Sequence, residues 1–287
     1  MKHIKQILVA VDGSAMANEV LKRAISIAHE NNALLVIVHD VEPPFFTSPY
    51  LKPIDDNEIK KKIMDQVNLL NEEANIEYSV FIQHGRVADS VINIAKKTNA
   101  DLLIIGLHGK DDTENYHFGS NAFKIIQKTH IPMLIVKNKV ENDYKSMIAP
   151  TNLAEESKKS ILFAHALFPK VSCKYLYAHE VFIELQGMQY RINEEQRQAI
   201  NTEMAKEAWD ALEAFVKETG EGDMAFMDYR ASINEDLLNY IVEDQADLLV
   251  LGSKGIGNLN SFVFGSTASY LLRESPTDIL IHVPNKN

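Results

Sequence analysis

The sequence predicts an α/β protein built from two repeated, doubly wound domains, each an open five-stranded parallel sheet with helices on both faces. Three observations support this fold class. The 287 residues suit two domains of ordinary size. The same phrases recur about 140 to 146 positions apart along the chain. Short, β-branched apolar runs alternate with amphipathic stretches, which is typical of strands joined by crossover helices.

The repeat divides the chain near its middle. The phrase from Lys5 to Asp12 returns 140 positions later as Lys145 to Asn152. Ala100-Asp-Leu-Leu returns 146 positions later as Ala246-Asp-Leu-Leu, so the second copy has about six extra residues between its second and third strands. Chance matches would not keep one register on each side of a single insertion. We therefore expect two domains, 1–140 and 141–287.

Nearly continuous apolar runs predict the strands. Runs of this kind suit parallel strands that helices cover on both faces. In the first copy the predicted strands are Ile7–Val11, Leu34–Val41, Tyr78–Ile82, Leu102–Gly106 and Met133–Val136. In such sheets, ligands bind beyond the carboxyl ends of the strands.

Amphipathic stretches predict the helices between these strands. In the second copy, Ser232 followed by Glu235 predicts a capping box at the start of one helix. A further helix is predicted over residues 199–216, with Trp209 packed in the core.

Composition excludes several classes of partner and site. There are 29 Lys and Arg against 40 Asp and Glu, a net charge of −11, so nucleic acid and membrane surfaces are not expected partners. The one cysteine, Cys173, excludes an internal disulfide framework and is expected to be buried and inert. No signal peptide and no apolar window of about 18 residues is found. We expect a cytoplasmic protein.

A glycine pattern follows the fourth strand of each copy. In both copies Gly, two residues, Gly, nine residues and Gly-Ser follow one another. Glycine lets backbone N–H groups approach a ligand without a Cβ in the way, and the helix that follows offers a positive dipole end that favours phosphate. The pattern consists of Gly106, Gly109, Gly119 and Ser120 in the first copy, and of Gly252, Gly255, Gly265 and Ser266 in the second.

These two glycine arrays, together with the Val11-Asp-Gly-Ser14 and Pro150-Thr-Asn152 turns, resemble the universal stress protein family in its tandem, two-domain form. The resemblance covers essentially the whole chain. It implies an adenine nucleotide alpha hydrolase-like, Rossmann-like fold and the binding of adenine nucleotide, ATP above all or AMP and ADP. Mg²⁺ is a candidate companion for a different reason, because a bridging cation would offset the carboxylates that precede Gly119 in the first copy. The resemblance also implies that the last strands, Met133–Val136 and Ile279–Val283, pair with each other as an internal pseudo-dimer. A homodimer of whole chains is left open.

The resemblance also implies which residues line each site. The turn after the first strand would face base and ribose, a valine at the end of the second strand would flank the adenine, and the glycine array would line the phosphates. In the first copy these residues are Val11, Asp12, Val41, Gly106, His108, Gly109, Gly119, Ser120 and Asn121. In the second copy they are Pro150, Thr151, Asn152, Val181, Gly252, Lys254, Gly255, Gly265, Ser266 and Thr267.

The two copies differ in charge at the predicted phosphate loop. In the first copy Asp111, Asp112 and Glu114 lie in this loop, and like charges there oppose a triphosphate. The second copy has an uncharged loop beside Lys254, but it has Asn152 where the first has Asp12, so a carboxylate charge is lost. The comparison favours the second copy as the ATP site.

The expected function is that of a nucleotide-dependent sensor or adaptor in the stress response. The alternative is an interaction scaffold with degenerate sites and no nucleotide. His39 and His179, at equivalent strand ends, are expected to be structural rather than catalytic. No nucleophile, general base or metal set stands out, so no catalytic residues are predicted, although slow ATP hydrolysis is left open.

Overall fold

The structure is a computed structural model that describes residues 3–14, 16–41, 55–72, 74–107, 120–180, 193–229, 232–252 and 265–282. The first repeat contains β1 (Gln6–Val11), α1 (Met16–Asn31), β2 (Leu34–Val41), α2 (Asp56–Leu70), β3 (Tyr78–His84), α3 (Val87–Thr98), β4 (Leu102–Gly106), α4 (Ser120–Lys128) and β5 (Met133–Val136). The second contains β6 (Ser146–Thr151), α5 (Glu155–Leu167), β7 (Ser172–Glu180), α6 (Glu194–Thr219), β8 (Asp223–Tyr229), α7 (Ile233–Asp244), β9 (Leu248–Gly252), α8 (Ser266–Glu274) and β10 (Asp278–His282). The predicted α/β class with a mostly parallel sheet is confirmed.

The chain divides into two compact units. Unit 1 holds the described residues up to Asp143 together with β10, and unit 2 holds those from Tyr144 to Gly252 and from Gly265 to Thr277. The domain limits expected from the repeat, 1–140 and 141–287, stay a prediction, since β10 groups with unit 1.

In unit 1 the strands lie in the order β3-β2-β1-β4-β5, all parallel, with β10 antiparallel beside β5. Leu280 of β10 lies opposite Leu134 of β5, so the last strands of the two repeats do pair. The core of this sheet is aliphatic, and Ile7, Leu35 and Leu103 are each 0% exposed.

In unit 2 the strands lie in the order β9-β6-β7-β8, again all parallel. The first strand of each repeat is therefore flanked by the second and the fourth. This order places a switch point between the second and fourth strands at the carboxyl end of the first strand.

The repeated Ala-Asp phrase has a structural role that the sequence did not reveal. Asp101 accepts hydrogen bonds from the backbone N–H groups of Lys5 at 2.9 Å and Gln6 at 3.1 Å. Asp247 accepts from Lys145 at 2.8 Å and from Ser146 at 3.0 Å in the same way. In both units the carboxylate before the fourth strand thus fixes the start of the first strand.

Two expectations about helices were wrong. Ser232 is the N-cap of α7, but its side chain makes no capping hydrogen bond, so the predicted capping box is not formed. A capping box occurs instead at α6, where Asn193 accepts from the N–H of Gln196 at 2.7 Å and donates its own N–H to the Gln196 side chain at 3.0 Å.

Trp209 does not lie in the core, because it is 43% exposed and stacks on Phe226 with ring centroids 5.0 Å apart. Phe226 lies in β8, the edge strand of unit 2, so Trp209 packs at the margin of the sheet. The buried residues of α6 are Leu212, Phe215 and Thr219, all in its last third.

Among the helices that the structure describes, none offers an apolar stretch long enough to cross a bilayer.

Candidate functional site

The first strand of unit 1 ends in a tight turn. Val11, the last residue of β1, is 8% exposed, and the N–H of Ser14 donates to Oδ1 of Asp12 at 2.9 Å. Gly13 between them has φ of 73°, a left-handed conformation that glycine adopts without cost. The turn therefore holds the Asp12 carboxylate just beyond the sheet.

The neighbouring strands bring other predicted residues to the same edge of unit 1. Extending the β1 and β4 register places Gly106 level with Val11, and Val41 ends β2 with 7% exposure. His39 lies opposite Val11, and its Nδ1 is 2.9 Å from the Val11 carbonyl oxygen. The structure thus brings Val11, Asp12, Val41 and Gly106 together, and the contact of His39 agrees with its expected structural role.

The equivalent turn of unit 2 is built from different side chains. The N–H of Leu153 donates to Oγ1 of Thr151 at 3.0 Å, and the N–H of Ala154 donates to Oδ1 of Asn152 at 3.2 Å. Ser157 adds a hydroxyl donor to the same Asn152 oxygen at 2.8 Å. Leu153 has φ of 62°, so it adopts the left-handed conformation of its counterpart Gly13.

Sequence reasoning missed both Ser157 and the conformation of Leu153. A signal for Leu153 was present, because the offset of 140 aligns it with Gly13 in a turn that needs positive φ. No comparable signal marked Ser157, since its contact depends on the first turn of α5.

Gly252 ends β9 level with Thr151, on the extended register of β6 and β9. A Cβ built on Gly252 would lie 3.2 Å from Oγ of Ser160 and 3.3 Å from the carbonyl oxygen of Glu156. This glycine therefore allows α5 to pack closely against the end of β9, in addition to any role toward a ligand.

Helix α8 begins where the second glycine array ends. Gly265 is its N-cap with an extended backbone, φ −61° and ψ 157°, and this residue has no side chain that could cap the helix. Ser266 and Thr267 occupy the first two helical positions, and the first turn contains no acidic residue. The first N–H groups of a helix lack helical partners and carry the positive end of the dipole, which can accept an anion.

Several predicted site residues lie outside the described parts of the chain. They are His108, Gly109 and Gly119 of the first copy and Val181, Lys254 and Gly255 of the second. Asn121 follows Ser120 in the first turn of α4, a helix that likewise has no acidic residue in that turn. The acidic residues Asp111, Asp112 and Glu114 also lie outside the described ranges.

Cys173 and Tyr175 of β7 and His165 of α5 are titratable groups that unit 2 shields from solvent. Cys173 is 3% exposed, and burial raises the pKa of its thiol to about 12, which agrees with the expected inert cysteine. Burial also raises the pKa of Tyr175 to about 12 and lowers that of His165. In the described ranges, no group of three metal-ligating side chains occurs.

The fold and the site define a class: doubly wound α/β repeats in which a glycine ends the fourth strand and the next element of the chain is a short helix without acidic residues in its first turn. The sequence pattern of the universal stress protein family matches residues 3–137 and 144–283. The chain belongs to this family and carries two copies of its domain.

Individual relatives agree with this assignment. Universal stress protein MJ0531 of Methanocaldococcus jannaschii is 31% identical over 144 residues, which is 46% of this chain and 82% of that protein. A putative universal stress protein from Pseudomonas aeruginosa has the same fold, with a TM-score of 0.71, 16% identity and coverage of 97% and 93% of the two chains. One from Archaeoglobus fulgidus has a TM-score of 0.66 at 14% identity, covering 98% and 99%.

Proposed function

We propose that this chain binds adenine nucleotide, ATP above all, in its second repeat and acts as a nucleotide-dependent sensor or adaptor in the stress response. The observation that carries the proposal is the start of α8. Its N-cap, Gly265, has no side chain of its own to cap the helix, and its first turn has no carboxylate. Ser266 is exposed and Thr267 half-buried, so both hydroxyls are available to phosphate oxygens.

The position of α8 in the chain adds to this support. The helix follows β9 through the uncharged loop beside Lys254, and β9 lies next to β6, which leads into the Asn152 turn. Phosphates at the helix start and ribose at the turn would lie on one edge of the sheet, as expected at a switch point. A phosphate at a helix N-terminus gains roughly 0.3 to 1 kcal/mol from the dipole alone, and more when partly buried.

The first repeat is proposed as the weaker site. Its turn and its strand ends resemble those of unit 2, but Asp111, Asp112 and Glu114 precede α4 in the sequence. Mg²⁺ accompanying the triphosphate would reduce this repulsion, and AMP or ADP would suffer less from it than ATP.

Calorimetric titration of the full chain with Mg-ATP tests the proposal. Gly265→Asp places a carboxylate where the phosphates would lie, so binding to the second repeat should be lost. Aspartate is a favourable N-cap residue, which means that α8 should still form. Gly265→Ser is the matched control, since serine also caps a helix but carries no charge. Unchanged ATP binding in Gly265→Asp contradicts the assigned site.

A matched substitution in the other repeat assigns the sites. Gly119→Asp should remove only weak binding to the first repeat and leave the binding that Gly265→Asp abolishes. If Gly119→Asp abolishes the main binding event instead, the preference for the second repeat is wrong.

We also propose that the pairing of β5 with β10 takes the place of a contact between separate chains, as an internal pseudo-dimer. The paired residues Leu134, Ile135, Leu280 and Ile279 are each 0% exposed, so this apolar pair is already covered within one chain. Light scattering after size exclusion should give the mass of one chain, 32.4 kDa. A stable dimer at micromolar concentration would show that a further interface exists.

The second candidate function is a nucleotide-free interaction scaffold. It is favoured by the exposed apolar residues of α6, where Ile200 and Met204 are each 36% exposed and Trp209 is 43% exposed. Mass spectrometry of small molecules released from natively purified protein separates the two functions. Adenine nucleotide in the released fraction supports the first, and an empty protein that also fails to bind Mg-ATP supports the second.

A further inference from the structure

The two turns that follow the first strands present opposite hydrogen-bonding groups. In unit 1 the N–H of Ser14 donates to Oδ1 of Asp12 at 2.9 Å. In unit 2 the N–H of Ala154, two residues after Asn152, donates to Oδ1 of that side chain at 3.2 Å. Because the inner oxygen is used in the same way, the outer atom of the group is an oxygen in Asp12 and a nitrogen in Asn152.

The orientation of the Asn152 amide is fixed by its donors. A backbone N–H can only donate, so the atom that faces Ala154 must be the oxygen. The Ser157 hydroxyl donates to the same oxygen at 2.8 Å. A flipped amide would lose the hydrogen bond from Ala154 and set N–H against N–H, which costs about 1 to 3 kcal/mol where such groups are not free to turn to water. The Ser157 hydroxyl can accept as well as donate, so the Ala154 N–H is the group that fixes the orientation.

The outer atoms of both side chains are available to a ligand. Asn152 is exposed and Asp12 half-buried. Among the residues that the structure describes, Nδ2 of Asn152 donates no hydrogen bond and Oδ2 of Asp12 accepts none. A carboxylate oxygen only accepts and an amide NH₂ only donates. At this position unit 1 thus presents an acceptor, which suits the hydrogen of a hydroxyl group, and unit 2 presents a donor, which suits an oxygen.

We propose that Asn152 of the second repeat donates a hydrogen bond to a ribose oxygen. This repeat therefore binds adenine nucleotides whose 2′ or 3′ oxygen is a neutral ester or ether, whereas the first repeat requires the free hydroxyl. This inference rests on the proposed function, since it needs the ribose to lie against the turn. The substituent on that ribose oxygen must be uncharged, because Glu155 and Glu156 in the first turn of α5 oppose a phosphate dianion beside Asn152 but not a neutral substituent.

The test compares ATP with 2′-O-methyl-ATP and 3′-O-methyl-ATP, which keep the oxygen acceptor and lose the hydroxyl hydrogen. The matched 2′-deoxy and 3′-deoxy nucleotides lose both. Titrations use the full chain carrying Gly119→Asp, so that only the second repeat binds. The measured quantity is the ratio of the methylated to the unmethylated Kd.

In this background, methylation should change the Kd by no more than about threefold, while removal of the same oxygen should weaken binding by about tenfold, the value of one hydrogen bond. Asn152→Asp should raise the penalty for methylation to tenfold or more, because a carboxylate then faces an oxygen with no hydrogen to donate. The position, 2′ or 3′, at which methylation weakens binding to Asn152→Asp identifies the ribose oxygen that Asn152 contacts.

The reciprocal variant tests the first repeat. In a chain carrying Gly265→Asp, the nucleotide AMP and its 2′-O-methyl and 3′-O-methyl forms are compared before and after Asp12→Asn. The parent should discriminate against one methylated form by tenfold or more, and Asp12→Asn should remove that discrimination. Both substitutions keep an oxygen for the turn N–H, and equal melting temperatures check that each variant is folded.

The outcomes separate this inference from the proposed function. If ATP binds the second repeat but the methylation ratio is the same in parent and Asn152→Asp, the inference is overturned and nucleotide binding stands. If no nucleotide binds either repeat, the proposed function fails and the inference fails with it.

Discussion

Units 1 and 2 fill the same position of the core in two different ways. In unit 1, Leu35 of β2 and Ile25 of α1 are 0% and 3% exposed and purely aliphatic. The equivalent residues of unit 2, 140 positions later, are Tyr175 of β7 and His165 of α5. The Tyr175 hydroxyl lies 3.0 Å from Nε2 of His165, 3.2 Å from Oγ1 of Thr219 and 3.3 Å from the carbonyl oxygen of Gly220.

The strand beside this position compensates for the size of the ring. Leu35 pairs with Tyr78 in unit 1, and Tyr175 pairs with Met224 in unit 2. Two residues before these partners lie Ile76 and Gly222, which are therefore counterparts. A Cβ on Gly222 would lie 2.6 Å from Cε2 of Tyr175. The absence of a side chain at Gly222, directly before β8, therefore leaves room for the Tyr175 ring as well as for the Cys173 carbonyl oxygen.

The aliphatic and the aromatic arrangement place different requirements on the residues around them. An aliphatic pair such as Leu35 and Ile25 needs only volume, and its packing does not depend on pH. A buried phenol needs volume, a missing Cβ and hydrogen-bond partners at once. Substituting residues of unit 1 into unit 2 tests each demand separately.

The largest effect is expected from Gly222→Ala. The new Cβ would clash with the Cys173 carbonyl oxygen as well as with the Tyr175 ring, so strands β7 and β8 must shift. Overpacking of this kind costs about 1 to 3 kcal/mol, or more where backbone atoms clash. Urea unfolding measures the loss, with the exposed neighbour change Glu221→Ala as control. A double-mutant cycle with Tyr175→Leu should show coupling, and strictly additive effects would mean that the ring does not cause the strain.

Tyr175→Phe should destabilise unit 2 by about 1 to 2 kcal/mol, because His165 and Thr219 lose a buried hydrogen-bond partner. Tyr177→Phe, two residues along the same strand, is the control. Tyr177 makes an edge contact with Phe226, and no hydrogen bond of its hydroxyl to a described residue is found. Its change should stay within about 0.5 kcal/mol. Equal losses in the two variants would show that the hydroxyl of Tyr175 is unimportant.

The stability of unit 2 should depend on pH through His165. Burial lowers the pKa of His165 below the ordinary 6.5, so the unfolded state takes up a proton first as the pH falls. This contribution is fully present above pH 6.5 and is lost as the pH falls from there through the lower folded pKa. Denaturant unfolding from pH 8 to 5 measures it. His165→Ile, which restores the residue type of Ile25, should flatten the dependence, and an unchanged slope would contradict the assignment.

The smallest effect is expected from Cys173→Ala. The counterpart of Cys173 in unit 1 is Ala33, and the two are 3% and 5% exposed. Removing one sulfur should cost about 1 kcal/mol or less. With its pKa raised to about 12, the thiol should also resist alkylation at pH 8 until the protein is unfolded. Rapid alkylation of the native protein would show that this strand opens.

Several elements follow directly from sequence pattern. The bounds predicted for Leu34–Val41, Leu102–Gly106 and Met133–Val136 are those observed, because a buried parallel strand must be apolar on both faces. Trp209 was misplaced since helical periodicity shows which face of a helix is apolar but not how far the sheet extends beneath it. The capping box predicted at Ser232 does not form for a related reason. The motif provides a serine hydroxyl and a glutamate carboxylate, but it does not determine the backbone conformation that would orient them.

The candidate site, too, was predicted from the sequence only in part. The exchange of Asp12 for Asn152 and the uncharged loop of the second copy were visible in the sequence. The direction in which Asn152 donates was not, because it depends on Ala154 and Ser157 being folded around its oxygen. That direction is set by the path of the backbone into α5.

The sequence by itself determined that this chain carries two α/β repeats and where the strands of the first repeat lie to within about two residues, since apolar period and repeated phrases are local properties. Only the tertiary structure decided that Tyr175 is matched by Gly222 and that Asn152 offers a donor where Asp12 offers an acceptor. Each of these depends on residues brought together by folding or by the exact path of a turn, and no local pattern records such a contact.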